Sequence, residues 1–525
     1  MFDLVIRNGT VIDGSGGAPQ RADVGIRAGK IAAVGDLAAA EAPALDAAGL
    51  VVCPGFVDIH SHSDYTLLVD PRAQSSVAQG VTTELIGNCG HGGAPILDAE
   101  AAKSNIYGYD PAVPITWSSM AEYLARMEQA KPAVNVLTLV PNGMLRLAVM
   151  GFAERPAGPD ELRQMIAYLE AGFEQGAWGY STGLEYPAER AAGDAELTAL
   201  CEITARHGGL YAPHVRNRDA HALEAIDEAL SQARRAGVRT HIPHLVPRRA
   251  GPEDTALGAL QRIDAALAEG IDISIDMHTR PFGLTNLHVA LPPWAFEGGP
   301  DKLRQRLSDL ATRRSFWERA NMIKSYSVSG WENVKVLTSA RRPELMGKSF
   351  AEIAAEAGTT PFEAVLDLLL AEADDPYYPL VLCKAHTEEQ MLRTFQHPAC
   401  MVGSDATALC PDGPLAKAVF HGAYTWAAWF IRRCVRETRT LTLQEAIKKL
   451  TSQPAERIGL RDRGLVRAGY WADLAIFDPE RFADRGTVLE PNQLAVGMWH
   501  VLVNGVFEMR DGQFTTARAG RVLRR

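Results

Sequence analysis

The chain has 525 residues, of which 47% are hydrophobic and 22% charged, and a formal charge of -10. That length exceeds one compact core of ordinary size, so two or three domains are expected. The acidic balance excludes the basic footprint that nucleic acid or an anionic membrane surface demands. There is neither a basic-then-apolar leader nor an apolar run of about 18 residues, so a cytoplasmic location is expected.

Residues 2 to about 50 read as short strands separated by Asn8-Gly9, Asp13-Gly14 and Ala28-Gly29-Lys30 turns, the pattern of a small antiparallel unit. Too few strands are present there to close a core. Similar segments return at the far end, in Ala472–Asp478 and His500–Phe507, where Val503-Asn504-Gly505 echoes Arg7-Asn8-Gly9. The expectation is one β-sandwich built from residues 1–53 and 460–525, with a central domain over 54–459 inserted between them.

In the centre, strands alternate with helices, which argues for a parallel sheet or barrel. Phe56–Ile59 opens the series, followed by strands ending near Ile86, Val140, Ser181, His214, His244, Asp276 and Asp405, with helices such as Asp160–Gln175 and Ala220–Ala236 between. Eight such units make a TIM-type (β/α)8 barrel, whose chemistry sits at the C-terminal strand ends. The spacing breaks once, before the Cys400 strand. A stretch with Pro292-Pro293, Gly298-Gly299-Pro300 and an amphipathic segment from Asp301 to Arg319 predicts an inserted lobe at about 285–350 that could cover the barrel mouth.

Strand-end positions select the candidate chemistry. In an extended strand, residues two apart share a face, so His60 and His62 present two imidazoles side by side, with Asp58 behind them. Alone, this pair fits half-exposed loop histidines equally well. Cys89, in the turn Gly87-Asn88-Cys89-Gly90, follows the second strand; His214 and His244 close two later ones, and Asp405 follows the last. Each is a metal ligand or proton carrier placed where a barrel would converge them. Asp405 alternatively reads as a helix N-cap, and His91 as either a substrate contact or a solvated loop residue. Trp426, Trp429 and Phe430 fall on a predicted helix and suit core as well as pocket. Seven cysteines without a C-x-x-C do not read as a disulfide framework.

The chain resembles the amidohydrolase superfamily and, within it, the N-acyl-D-amino-acid deacylase (D-aminoacylase) family. The resemblance lies in Arg7–Gly14, Pro54–Asp64, Gln79–Thr83 leading to Gly87–Gly90, Ser181–Pro187, His214–Asn217, Val402–Asp405 and Gly469–Leu474. The Gly-Asn-Cys-Gly turn is its most specific part. The resemblance implies a zinc site in which Cys89, His214 and His244 hold one tight metal while His60 and His62 flank a weaker second position. Thiolate with imidazole is also a zinc-selective set on chemical grounds. It further implies that Asp405 shuttles a proton from water to the leaving amine, and that the substrate is a small-molecule amide, by default an N-acyl-D-amino acid.

The chain departs from that family where basic groups and a tyrosine grip the substrate carboxylate. Those places read His244-Leu245-Val246-Pro247, Phe420-His421-Gly422 and Asp276-Met277-His278-Thr279-Arg280-Pro281. His91, Arg216, His278 and Arg280 are the remaining substrate-contact candidates, and Arg248, Arg249 or Arg280 could replace the clamp. The expectation is therefore a substrate with an uncharged group at that point: an aryl or alkyl amide, a cyclic amide or a carbamate. A non-catalytic metal- or ligand-binding barrel is the alternative from another class. It leaves Asp405 without a purpose.

Overall fold

The computed structural model describes residues 1–248, 255–319, 322–328, 330–488 and 490–525. Eight parallel strands lie side by side in chain order: β1 (Phe56–Asp58), β2 (Val81–Ile86), β3 (Asn135–Pro141), β4 (Gly179–Gly183), β5 (Leu210–His214), β6 (Arg239–Ile242), β7 (Ile273–Met277) and β8 (Cys400–Val402). The last meets the first just past their ends: Asp405 N donates to His60 O and His62 N to Ala406 O, both at 2.8 Å. These bonds bring the sheet close to a closed barrel. They also bring the Asp405 loop against the His60 loop.

Both faces of these strands are covered, which is why β3 is buried at all seven of its residues and reads as a near-continuous apolar run. The covering helices follow local signals. Pro159–Glu174 starts with proline in its first turn, and Glu161 accepts from Gly158 N at 2.7 Å. It turns Met165, Leu169 and Phe173 into the cluster that holds Val140 and Tyr180 of the barrel. Each such side chain contributes on the order of 1.5–3 kcal/mol through burial. Trp426 belongs to this core as well, buried on the short helix Trp426–Phe430, with Trp429 packed at the cluster's edge.

The termini build a separate β layer. Val51–Pro54 pairs antiparallel with Leu474–Phe477, inside a seven-stranded sheet that draws on both ends of the chain. A four-stranded sheet packs on it through Ile6, Val24, Ile26, Leu45, Val52, Leu474 and Leu502. Val51–Pro54 runs almost directly into β1, so the sandwich anchors the start of the barrel.

The inserted lobe is longer than its sequence boundaries suggested. Its sheet places Leu380–Lys384 between Phe282–Asn286 and Val334–Val336, all antiparallel, so the segment closes near Lys384 rather than 350. The stretch from Asp301 to Arg319 divides into helices Gly299–Ser308 and Leu310–Arg319. Asp309, at the break, accepts from Thr312 N at 2.8 Å. The apolar core of the lobe continues into Cys89 and Tyr186, so the lobe sits directly over the strand ends. All seven cysteines are unpaired and buried, and no helix among the described residues is long and apolar enough to cross a membrane.

Candidate active site

The strand-end loops converge on Cys89. Its Sγ lies 3.2 Å from His60 Nε2 and 3.5 Å from His244 Nε2. Two groups of potential ligands share it: Cys89, His214 and His244 in one, and His60, His62, Cys89 and Asp405 in the other, with the ligand atoms in each group within 4.8 Å of one another. Asp405 Oδ1 is 3.2 Å from His62 Nε2 and 3.4 Å from His60 Nε2. The four histidines and Cys89 are all at most 3% exposed. Asp405 is the most accessible member, its side chain 17% exposed.

Backbone geometry at the site departs from comfortable values. Cys89, His244 and Asp405 have φ of 53°, 36° and 44°, a region that side chains with a Cβ rarely enter. Each such residue costs on the order of 1–3 kcal/mol and persists only where its surroundings hold it. Glycines flank Cys89 for a related reason: Gly87 and Gly90 have φ of 79° and 73°, and a Cβ on Gly90 would lie within 1.6 Å of Glu189 Oε1. The turn therefore delivers one thiol with nothing bulky beside it.

Hydrogen bonds decide which ring atoms remain available. His214 Nε2 meets Glu185 Oε2 at 2.9 Å, while its buried Nδ1 has no partner among the described residues, so Nδ1 is the atom left for a cation. His62 Nδ1 and His244 Nδ1 are likewise unpartnered. Asp276 joins three positions: it lies 3.1 Å from His60 Nδ1 and 2.9 Å from His241 Nε2, and accepts from His244 N at 2.7 Å. Carboxylates on the far nitrogen of ligand histidines fix the ring and its tautomer.

The charges fit a metal. Burial pushes the His214 pKa down to about 4 and that of His244 well below the usual range, leaving both rings in the neutral, ligating form. Burial alone would discharge His60 too, but Asp276, Cys89 and Asp405 outweigh it and raise its pKa well above normal. That concentration of negative charge favours a cation. Burial raises the Cys89 thiol, partly offset by His60, so losing its proton calls for a positive centre at the sulfur. Asp405 stays ionised despite burial, because Arg280, His60 and the His62 hydrogen bond hold its carboxyl well below the usual carboxylate range.

The substrate-contact candidates are placed differently from the sequence expectation. Arg216 pairs with Glu228 at 2.8 Å and donates to the carbonyls of Arg190 and Ala192, so it ties loops together. Arg280 holds Asp405 Oδ2 at 2.7 Å and the carbonyls of Ser404 and Asp405, which makes it a support for Asp405. His278 Nε2 lies 3.9 Å from the same carboxylate. Arg248 forks onto Glu185, with Nη1 to Oε2 at 2.9 Å, and stacks over Tyr326. Arg249 lies outside the described residues. His91 is buried, stacked on Tyr107 and edge-on to Tyr186, with Nδ1 2.8 Å from Cys89 O; it forms part of the chamber wall beside His62 and is no solvated loop residue.

Sequence reasoning passed over Glu185, His241 and Asp276. Glu185 stands inside a family-like segment and Asp276 near a strand end, so position was the available signal for both. A cavity of 1330 Å³ lined by Trp178, Arg239, Arg457 and Arg524 opens at the other end of the barrel, away from these ligands.

Comparison with known proteins places the chain among amidohydrolases. The profile of the amidohydrolase family matches residues 44–287 and 351–507. N-acyl-D-glutamate deacylase of Alcaligenes xylosoxydans xylosoxydans is 36% identical, covering 100% of this chain and 97% of its own. D-aminoacylase of the same organism is 32% identical, covering 100% and 98%. Among solved structures, N-acyl-D-glutamate deacylase of Bordetella bronchiseptica, complexed with zinc and a phosphonate mimic of the tetrahedral intermediate, superposes with a TM-score of 0.83 at 31% identity, with all of both chains covered. A crystal structure of D-aminoacylase gives 0.84 at 31% identity, also over all of both chains.

Proposed function

The chain belongs to the amidohydrolase family, and from that premise we propose that it is a zinc-dependent deacylase of N-acyl-D-amino acids. The observation that carries the reading is Cys89, a single thiol shared by two ligand groups, with an ionised carboxylate at hydrogen-bond distance from the histidines beside it.

Cys89, His214 and His244 would hold one zinc, and His60, His62 and Asp405 flank a second position. When bound, the metal supplies Lewis acidity for the scissile carbonyl and makes water more acidic. The protein's own part is proton movement. Asp405, ionised and the most accessible of the set, takes the proton of the attacking water and returns it to the departing amine as the C–N bond breaks. Arg280 holds the Asp405 carboxylate in place. Tyr107, Tyr186 and His91 wall the chamber, and the lobe above it excludes bulk water.

The D-series and the acylated amino acid come from what the relatives are named for. A neutral amide is the second reading, favoured by the fully buried Val246 at a place where the resemblance leads one to expect a basic group. Metal analysis combined with a panel of acylated D- and L-amino acids and neutral amides tests both. Turnover of D-acyl substrates in proportion to bound zinc is expected. A metal-free protein with full activity would overturn the reading.

A further inference from the structure

Arg216, Arg218, Arg248 and Arg280 belong to the loops above the barrel, and three of them have an acid partner: Arg216 with Glu228, Arg248 with Glu185 and Arg280 with Asp405. Arg218 has none among the described residues. One Nη donates to the carbonyls of His244 at 2.7 Å and Val246 at 3.2 Å, and its buried Nε has no partner among the described residues. Its side chain is nevertheless 93% enclosed, at 7% exposure. A guanidinium does not give up its proton in a protein. Among the described residues it is therefore a buried cation with no carboxylate in direct contact, an arrangement folding strongly disfavours unless something else supplies the anion.

The surroundings point to where that anion comes from. Arg218 follows the ligand His214 by four positions and holds the backbone of the ligand His244, so it stands against the metal centre from two sides. Among the described residues the charged and titratable groups around it include Glu185 and Arg248, already paired with each other, the ligands His214, His244 and Asp405, and the neutral His278, His386, Tyr326 and Cys383. His386 comes from the lobe, just past Leu380–Lys384, and its Nε2 is also buried without a partner while Nδ1 lies 3.2 Å from Pro247 O. Two unpartnered polar atoms thus belong to one neighbourhood, one from the barrel and one from the lobe.

Resting on the deacylase reading and deepening it, we propose that Arg218 binds the carboxylate of an N-acyl amino acid substrate, with His386 closing the same subsite from the lobe. The substrate carboxylate supplies the missing counter-charge, through a charge-assisted bond about twice as strong as a neutral one. The neutral-substrate expectation rested on Val246 and Gly422. In the folded chain the cation arrives instead from the loop after β5, and Val246 contributes its carbonyl to hold it.

The test uses the full-length, zinc-loaded protein and the variants Arg218→Met, Arg218→Lys and His386→Phe. Specificity constants are compared for an N-acyl-D-amino acid and its carboxamide, with zinc content and thermal midpoint as controls. We expect the acid-over-amide preference to fall about 100-fold in Arg218→Met, mostly through KM, and to return in part with Arg218→Lys. His386→Phe should reduce the preference less. Should Arg218→Met fail to fold, Arg218→Lys carries the comparison, since a point charge without the planar fork is expected to cost about 10-fold in the same ratio. Equal losses on acid and amide, or an unchanged preference, would overturn the role of Arg218 while leaving deacylation intact. If the wild-type protein neither hydrolyses nor, by calorimetry, binds any acylated amino acid, the deacylase reading falls and takes this subsite with it.

Discussion

Asp276 lies 3.1 Å from His60 Nδ1 while His60 Nε2 lies 3.2 Å from the Cys89 thiol, so one imidazole spans a buried carboxylate and the sulfur at the centre of the ligand set. The carboxylate fixes the ring's tautomer and keeps Nε2 turned inward. It also holds His244 through its backbone N–H. Asp276→Asn keeps the size and loses the charge. Metal affinity measured by chelator competition should fall about 10- to 100-fold, the usual range for such supporting carboxylates. An unchanged affinity would make Asp276 a packing residue only.

Cys89→Ser replaces a thiol with an alcohol far too weakly acidic to ligate as an anion, and this thiol is shared by both ligand groups. The variant should lose most of its bound zinc, seen by elemental analysis after dialysis. Chelation of the wild-type protein should abolish turnover, and added zinc should restore it. Full zinc occupancy in the serine variant would remove Cys89 from the ligand set.

Asp405→Asn cannot carry a proton, though an amide still accepts from Arg280. The fold and the zinc at Cys89, His214 and His244 should survive. We expect kcat to drop by about three to four orders of magnitude, the scale of losing acid and base help together. Near wild-type turnover at saturating substrate would exclude Asp405 from proton transfer.

Glu185 gives a prediction about pH. Burial disfavours its charge, but Arg248 and His214 hold the carboxyl at about 2, below its ordinary value of 4.5. A depressed folded-state pKa means stability that is present above the unfolded value and is lost as pH falls from about 4.5 towards 2. Denaturation midpoints of the metal-free protein should therefore decline over that window. Glu185→Gln should start less stable and decline less; parallel curves for the two proteins would show that the pair does not drive the acid response.

Much of this protein is legible in its sequence because the informative patterns are local. Apolar runs with turn signals mark eight barrel strands, and the residues just past strand ends, His60, His62, Cys89, His214, His244 and Asp405, meet in two overlapping ligand groups. Alternation and strand-end position need only a few neighbours in the chain to be recognised. The lobe runs past residue 350 because Leu380–Lys384 pairs with Phe282–Asn286 across a long separation that no local pattern records. Arg216, Arg218, Arg248 and Arg280 carry the same charge and look alike in the sequence, yet three of them meet Glu228, Glu185 and Asp405 while Arg218, among the described residues, meets carbonyl oxygens. Which buried charge finds a partner depends on elements far apart in the chain, so tertiary structure alone decides it.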